Sequence, residues 1–321
     1  MEIVCLDGAR PDSDFFTKIT YMGNVTELSV SRSVSHGSPC LKIDQDHYVN
    51  LNTGEYCEYK HSLSRADSLN GVRQTLANIR ALINCNITEP ANCRWVTFTY
   101  AENMTDVRRL MTDWDAFRKR FYRWCSKSAI DKPEYIAVVE PQGRGAWHLH
   151  VFFVWAHTAP YLDNNAVIAP LWRHGFTKTK AVSDCDNIGA YFSAYLGDMP
   201  LDEYEKLDRS DRAPCALVDE KEVDVGGEKV KKKIVKGGRL RLYPPGMNIV
   251  RSSRGVKRPS VELARYSVAK EKVSGQTQTF QKGYAIFDGD NRVNTIFKEY
   301  YNSKRSAPQD SEQDFHIDIT F

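Results

Sequence analysis

Residues 134–155, EYIAVVEPQGRGAWHLHVFFVW, constrain the fold more than any other stretch. Two runs rich in β-branched and aromatic residues, 134–140 and 147–155, flank QGRGA, whose glycines at 143 and 145 suit a tight turn. The stretch therefore predicts a β-hairpin. If its turn centres on Arg144, Glu140 stands directly opposite His148. Opposed residues project from one face with Cβ atoms about 5 Å apart. Residues two apart also share a face, so His150 and Phe152 join the row. A lone histidine there would read as a hydrogen-bonded structural residue. Two imidazoles opposite a carboxylate cost free energy in an apolar setting unless something binds them. Glu140, His148 and His150 are thus candidate ligands of a divalent metal, Mg2+ or Mn2+, with positions left for water or phosphate.

The flanking segments supply the other layers. Leu69, Val72, Leu76, Ile79, Leu82 and Ile83 recur at helical spacing. Residues 94–100, RWVTFTY, read as a strand. Val107, Leu110, Met111, Trp114, Phe117, Phe121 and Trp124 form the stripe of a second helix, with Asn103 or Thr105 as its cap. Residues 187–196, NIGAYFSAYL, are helical in pattern. This strand–helix–strand–strand–helix order predicts an α+β fold, an antiparallel sheet with helices packed on one side. Residues 1–60 look irregular or short-stranded and form an N-terminal segment; 61–200 hold the motifs; 201–321 are a C-terminal region.

Among the 321 residues the net charge is only +3, so any nucleic-acid surface must be local. There is no apolar run of transmembrane length and no basic start followed by an apolar stretch, so neither membrane insertion nor a signal peptide is expected. The eight cysteines are scattered without a C-x-x-C pair, which suits free thiols in a reducing cytoplasm.

Tyr191 and Tyr195 are four apart and share a helix face. Such a pair is usually core packing. A tyrosine beside a cation site is also a nucleophile for a phosphodiester, giving a phosphotyrosine and a free hydroxyl. From 202 to 224 the chain is acidic; it then turns basic with Lys229, Lys231, Lys232, Lys233, Lys236, Arg239, Arg241, Arg251, Arg254, Lys257 and Arg258, interrupted by Tyr243. A solvated loop is the plain explanation, but cations with an interleaved aromatic also suit a DNA backbone and a stacked base. No phosphate-binding G-x-x-x-x-G-K-[ST] loop is present, so unwinding would need a separate helicase. The end, DFHIDITF, alternates like a strand or a short docking tail.

WHLHVFF resembles the histidine–hydrophobe–histidine motif of the HUH endonucleases, and WVTFTYAEN the strand motif that precedes it in rolling-circle replication initiators. Glu140 sits where related initiators place a third metal ligand, and Tyr191 and Tyr195 match their Y-x-x-x-Y motif. VRQTLANIRALIN, DNIGAYFSAYLGDMP and GGRLRLYPPGMNIVRSSRGVKRP extend the likeness to initiators of plasmids and filamentous-type phages of Gram-positive bacteria, over about residues 62–260. The resemblance implies a metal-dependent nickase and strand transferase. It would act on single-stranded origin DNA through a 5′-phosphotyrosine link and leave a 3′ hydroxyl for a separate polymerase. Ala194 and Asp198 stand where many relatives have lysine. The initiating tyrosine and the group that neutralises the phosphate therefore stay open. Relaxases usually place the tyrosine before the histidines, and single-strand transposases of this type are typically much shorter, so an initiator is favoured. A DNA-binding regulator with a decayed site is the alternative of a different class; the three ligands and both tyrosines speak against it.

Overall fold

The computed structural model describes residues 2–6, 8–32, 39–59, 69–182, 187–209, 212, 218–225, 228–235, 237–244 and 247–305, leaving aside the side chains of 69–73, 194–195, 221–225, 228–230 and 232. Lys236 and the C-terminal DFHIDITF segment lie outside the described residues. The chain divides into two compact units, one of Met1–His61 with Pro259–Phe321, the other of Ser62–Arg258.

The first unit opens with β1 (Glu2–Leu6), β2 (Phe16–Met22), β3 (Val25–Ser31), β4 (Cys40–Lys42), β5 (His47–Asn50) and β6 (Tyr56–Glu58). The second holds α1 (Leu69–Asn86), β7 (Cys93–Phe98), α2 (Val107–Lys127), β8 (Glu134–Pro141), β9 (Trp147–Val154), α3 (Ala169–Trp172), β10 (Thr177–Ala181), α4 (Ile188–Gly197), β11 (Met199–Pro200), α5 (Leu201–Tyr204), β12 (Val218–Val225), β13 (Glu228–Val235) and β14 (Val250–Ser252). The chain then returns to the first unit with β15 (Ser260–Arg265), α6 (Tyr266–Lys272), β16 (Thr277–Asp288) and β17 (Asn291–Asn302).

In the first unit an antiparallel six-stranded sheet runs β1-β16-β17-β3-β2-β15, beside a small β4-β5-β6 sheet. Ile19, Leu28, Val30, Phe297 and Tyr301 pack against Ala269 and Val273 from α6 and the residue just after it. Glu299 is buried in this sheet and accepts a hydrogen bond from Tyr266 Oη at 2.8 Å. Burial of a carboxylate is tolerable only when it is so paired.

The second unit is built on an antiparallel sheet in the order β10-β7-β9-β8-β14. Its central strands are apolar on both faces, because both faces are covered. Val96 and Phe98 of β7 and Leu149, Val151 and Phe153 of β9 look one way. There Phe98 meets Trp114 and Phe117, and Phe153 meets Phe121, all from α2. The α2 stripe is buried at Leu110, Trp114, Phe117, Phe121 and Cys125. Its cap is Asp106, not Asn103 or Thr105: the Asp106 carboxylate accepts from the Arg108 and Arg109 amides, where acidic charge also meets the positive helix end. Trp95, His150 and Phe152 look the other way, and Phe192 of α4 covers them. The fold is α+β with an antiparallel sheet, but its helices flank both faces rather than one. The periodicity of each helix is visible in the sequence; which face each chooses is not, because both faces of β9 are apolar around the histidines.

A further small sheet, β11-β13-β12, joins the acidic and basic stretches. Its register opposes Glu220 to Lys233, Glu222 to Lys231 and Asp224 to Lys229.

Candidate active site

The β8–β9 register is the one the turn predicts: Glu140 opposes His148 and Pro141 opposes Trp147. Gly145, at φ +82°, closes the turn with its amide to the Gln142 carbonyl at 2.8 Å, and the Gln142 amide returns to the Ala146 carbonyl at 2.8 Å. A left-handed φ of this kind favours glycine. Trp147 anchors the start of β9 by donating Nε1–H to the Thr105 carbonyl at 2.9 Å.

Glu140 and His150 are buried, and His148 retains 19% exposure. His150 Nε2 lies 2.8 Å from Glu140 Oε2, and His148 Nδ1 lies 3.9 Å from the same oxygen. On its other side His150 Nδ1 meets the Trp95 indole at 3.4 Å and the Thr97 hydroxyl at 3.2 Å. An indole N–H only donates, so this network assigns Nδ1 as acceptor and puts the ring proton on Nε2, facing the carboxylate. Gln142 adds a hydrogen bond to Glu140 Oε2 at 2.9 Å.

Burial pushes the Glu140 pKa up, but the charge and hydrogen bond of His150, then Arg239 and His148, more than offset it, and the net shift is downward. Burial lowers His148 to about 4, against an opposing pull from Glu140. At neutral pH His148 is therefore an uncharged imidazole with a lone pair to offer.

A neutral imidazole pair and a carboxylate are the donor chemistry of a divalent-cation site. Glu140 Oε1 is buried without a hydrogen-bond partner, which is the kind of orphaned atom a ligand satisfies. Among the described residues no trio of His, Cys, Asp or Glu is already spread into a coordination shell. His150, Gln142 and Arg239 hold the carboxylate themselves. The donor set fits a divalent cation.

Helix α4 carries the tyrosines across the same sheet face. Asn84 of α1 positions its start: its Oδ1 accepts the Gly189 amide at 3.0 Å, and its Nδ2 donates to Asn187 Oδ1 at 2.9 Å. Asn187 Oδ1 in turn accepts the Ala190 amide at 3.0 Å. A Cβ at Gly189 would lie 2.4 Å from the Arg80 carbonyl oxygen, so this close helix approach requires glycine. Phe192, fully buried, packs its ring 5.6 Å from His150 and 5.3 Å from Trp95. Burying a phenylalanine of this kind contributes about 2–3 kcal/mol. Tyr191, the preceding residue, is 43% exposed, with its ring 6.4 Å from Trp95. Tyr195 lies one turn further along α4, and its side chain is outside the described residues.

The basic residues do not act as one group. Arg239 is buried inside the site: Nη1 lies 3.3 Å from Glu140 Oε1, and Nε donates to the Asp198 carbonyl at 2.8 Å. It is not placed to meet DNA from the surface, and it brings a cation to the position that Asp198 leaves without one. Lys231 and Lys233 are exposed on β13, opposite acidic register positions. Lys232 opposes Lys221 in that register. Arg241 is half-buried, whereas Arg251, Arg254, Lys257 and Arg258 are exposed around β14.

Sequence reasoning missed Arg239 as a partner of Glu140, because 98 residues separate Arg239 from Pro141, whose carbonyl it holds. Gln142 was legible in principle, since it is two residues from Glu140 and shares its face.

Residues 93–199, about a third of the chain, match the family model of the replication-associated protein ORF2. That span contains the β7–β9 strands, the three candidate ligands and both tyrosines. The match agrees with the rolling-circle replication initiators that the motifs resemble and supports a role in DNA replication. No curated protein and no solved structure matches the chain. Among the described residues no helix is long and apolar enough to cross a membrane.

Proposed function

We propose that this chain initiates rolling-circle replication by nicking one strand of single-stranded origin DNA. The observation that carries the reading is the buried Glu140 carboxylate flanked by His148 and His150, on the sheet face that the tyrosine helix covers. Glu140, His148 and His150 would hold Mg2+ or Mn2+, and the cation would polarise the scissile phosphodiester and offset charge on the leaving oxygen.

The remaining work falls to the chain. Tyr191, half-exposed on α4, presents its hydroxyl as nucleophile. Its oxygen forms a bond to phosphorus as the bond from phosphorus to the 3′ oxygen breaks. The phenolic proton leaves to solvent, and the released 3′ oxygen takes one up. The products are a 5′-phosphotyrosine and a 3′ hydroxyl that primes a separate polymerase, with a separate helicase opening the duplex. Asn84 and Asn187 hold the nucleophile's helix in place, and Phe192 seats it on the sheet. Such positioning is worth several orders of magnitude in rate because the reacting groups are already aligned.

The test is a trapped adduct. The full chain is incubated with Mn2+ and single-stranded oligonucleotides tiled over its own replicon, and adducts are mapped by mass spectrometry. A nucleotide phosphate on Tyr191 or Tyr195, lost with chelator, is the expected result. DNA binding with neither adduct nor cleavage at any oligonucleotide would overturn the nickase and leave a binding protein.

A further inference from the structure

Arg239 joins the hairpin to the end of the tyrosine helix. Its side chain is only 7% exposed. Its hydrogen bonds go to main chain, from Nε to the Asp198 carbonyl at 2.8 Å and from Nη1 to the Pro141 carbonyl at 3.2 Å. Two carboxylates flank the same guanidinium: Glu140 Oε1 is 3.3 Å from Nη1, and Glu203 Oε2 is 3.7 Å from Nη2. Yet both of those oxygens are buried without a hydrogen-bond partner. A guanidinium offers a rigid fork of donors that pairs best with one carboxylate in bidentate fashion. Here the fork is pinned by the backbone between two carboxylates and gives neither a hydrogen bond at those oxygens. Leaving buried carboxylate oxygens half-satisfied costs free energy. Charge alone holds the trio, so another cation arriving at Glu140 would redistribute it.

We propose that Arg239 is a displaceable counter-ion for Glu140. It neutralises the carboxylate while no divalent cation is bound, competes with that cation for it, and shifts its pairing to Glu203 when the cation arrives. The inference rests on Glu140, His148 and His150 being metal ligands. The anchors to Asp198 and Pro141 need not break, because only the terminal nitrogens change partner. Glu203 is the receiving carboxylate: it lies in α5, remains 38% exposed, and already faces Nη2.

Calorimetric Mn2+ titration and thermal unfolding with and without Mn2+, on the full chain, test this with two variants of opposite sign. Arg239→Met removes the competing positive charge and should bind Mn2+ roughly tenfold more tightly. It should also melt lower without metal and gain more from Mn2+ than the wild type does. Glu203→Gln leaves the guanidinium with Glu140 alone and should weaken Mn2+ binding, roughly threefold or more. Unchanged or weaker binding by Arg239→Met, with its melting point lowered equally with and without Mn2+, would make Arg239 a structural residue only. Should Arg239→Met not fold, Glu203→Gln decides, and unchanged or tighter binding there overturns the proposal. If the wild-type chain itself binds no Mn2+, the ligand assignment fails and this inference with it; binding by the wild type with no change in the variants sinks the inference alone.

Discussion

Glu140 and His148 are direct cross-strand partners on β8 and β9, and that one register decides what the site contains. A slip of one residue would set Trp147 or Leu149 opposite Glu140 and turn the carboxylate and the imidazoles to opposite faces of the sheet. The closed turn from Gln142 to Ala146 and the anchored Trp147 prevent that slip. The chemistry of the site thus depends on a glycine turn that makes no contact with substrate.

His148→Ala and His150→Ala should each lower nicking by about a hundredfold or more, the scale of losing one electrostatic element of an active site. DNA affinity should hold, since phosphate contacts elsewhere supply it. Glu140→Ala should also lose activity, partly restored by excess Mn2+, which accepts imidazole ligands. A His148 variant that nicks at the wild-type rate refutes the ligand assignment.

Gly189→Ala probes the helix junction. The added Cβ would press on the Arg80 carbonyl and on Asn84 Oδ1. Overpacking of this kind costs about 1–3 kcal/mol, so the midpoint of urea unfolding should fall while the slope stays constant. Nicking should fall further than stability does, because Tyr191 rides on the displaced helix. A fully stable variant would mean that α1 and α4 can separate freely.

The hairpin, the ligand row and the tyrosine spacing were legible because each is local: period-2 alternation, a glycine turn and an i, i+4 repeat. The first unit was not. β1 pairs with β16 across some 280 residues, Glu2 with Phe287, and no local pattern reports such a partner. Residues 1–60 therefore read as irregular although β2 and β3 form an ordinary hairpin inside a six-stranded sheet. Arg239 illustrates the same limit at the site. In sequence it is one cation in a basic run; only folding places it against Glu140.

Stability without metal should depend on pH through His148. Burial holds its folded pKa down at about 4, while the unfolded chain takes up that proton near the ordinary pKa of about 6.5. Between these limits the unfolded state binds more protons than the folded state, so stability falls as pH falls through this window. The lowered pKa of Glu140 adds a loss in the same direction at still lower pH, as its folded carboxylate is protonated. Denaturant unfolding in EDTA from pH 8 to pH 4 should show this decline, and His148→Gln should flatten it. A wild-type profile that stays level across the window contradicts a buried neutral His148.

The salt dependence of DNA binding should rest on the exposed cations near β14. Neutralising Arg251, Arg254, Lys257 and Arg258 together should reduce the slope of log affinity against log salt by about two to three, at roughly 0.7 per single-strand phosphate contact. Neutralising Lys231, Lys232 and Lys233 should change it by less than about one. Two of those lysines sit at register positions opposite glutamates, so the hairpin carries little net positive charge to give a phosphate. A large drop in slope from the β13 set alone would reverse this assignment.

The two tyrosines should divide the work. They lie one turn apart on α4, about 6 Å along one face, so one phosphate meets only one of them in good attack geometry at a time. Tyr191 follows the glycine-packed start of the helix, and its neighbour Phe192 is locked against His150 and Trp95. That packing fixes the backbone at Tyr191 relative to the candidate ligands and makes it the expected initiating nucleophile. Tyr191→Phe should then lose initial nicking, whereas Tyr195→Phe should nick normally and fail to close the released circle. Phenylalanine keeps the ring and its packing, so a folding defect does not explain either loss. Single-turnover cleavage and strand joining on the same oligonucleotide distinguish the roles. If each single variant cleaves and rejoins like wild type and only the double variant is inactive, either tyrosine can attack and the division of labour is wrong. If Tyr195→Phe loses the first cut instead, the roles are reversed, and the seating of Phe192 on His150 does not select the nucleophile.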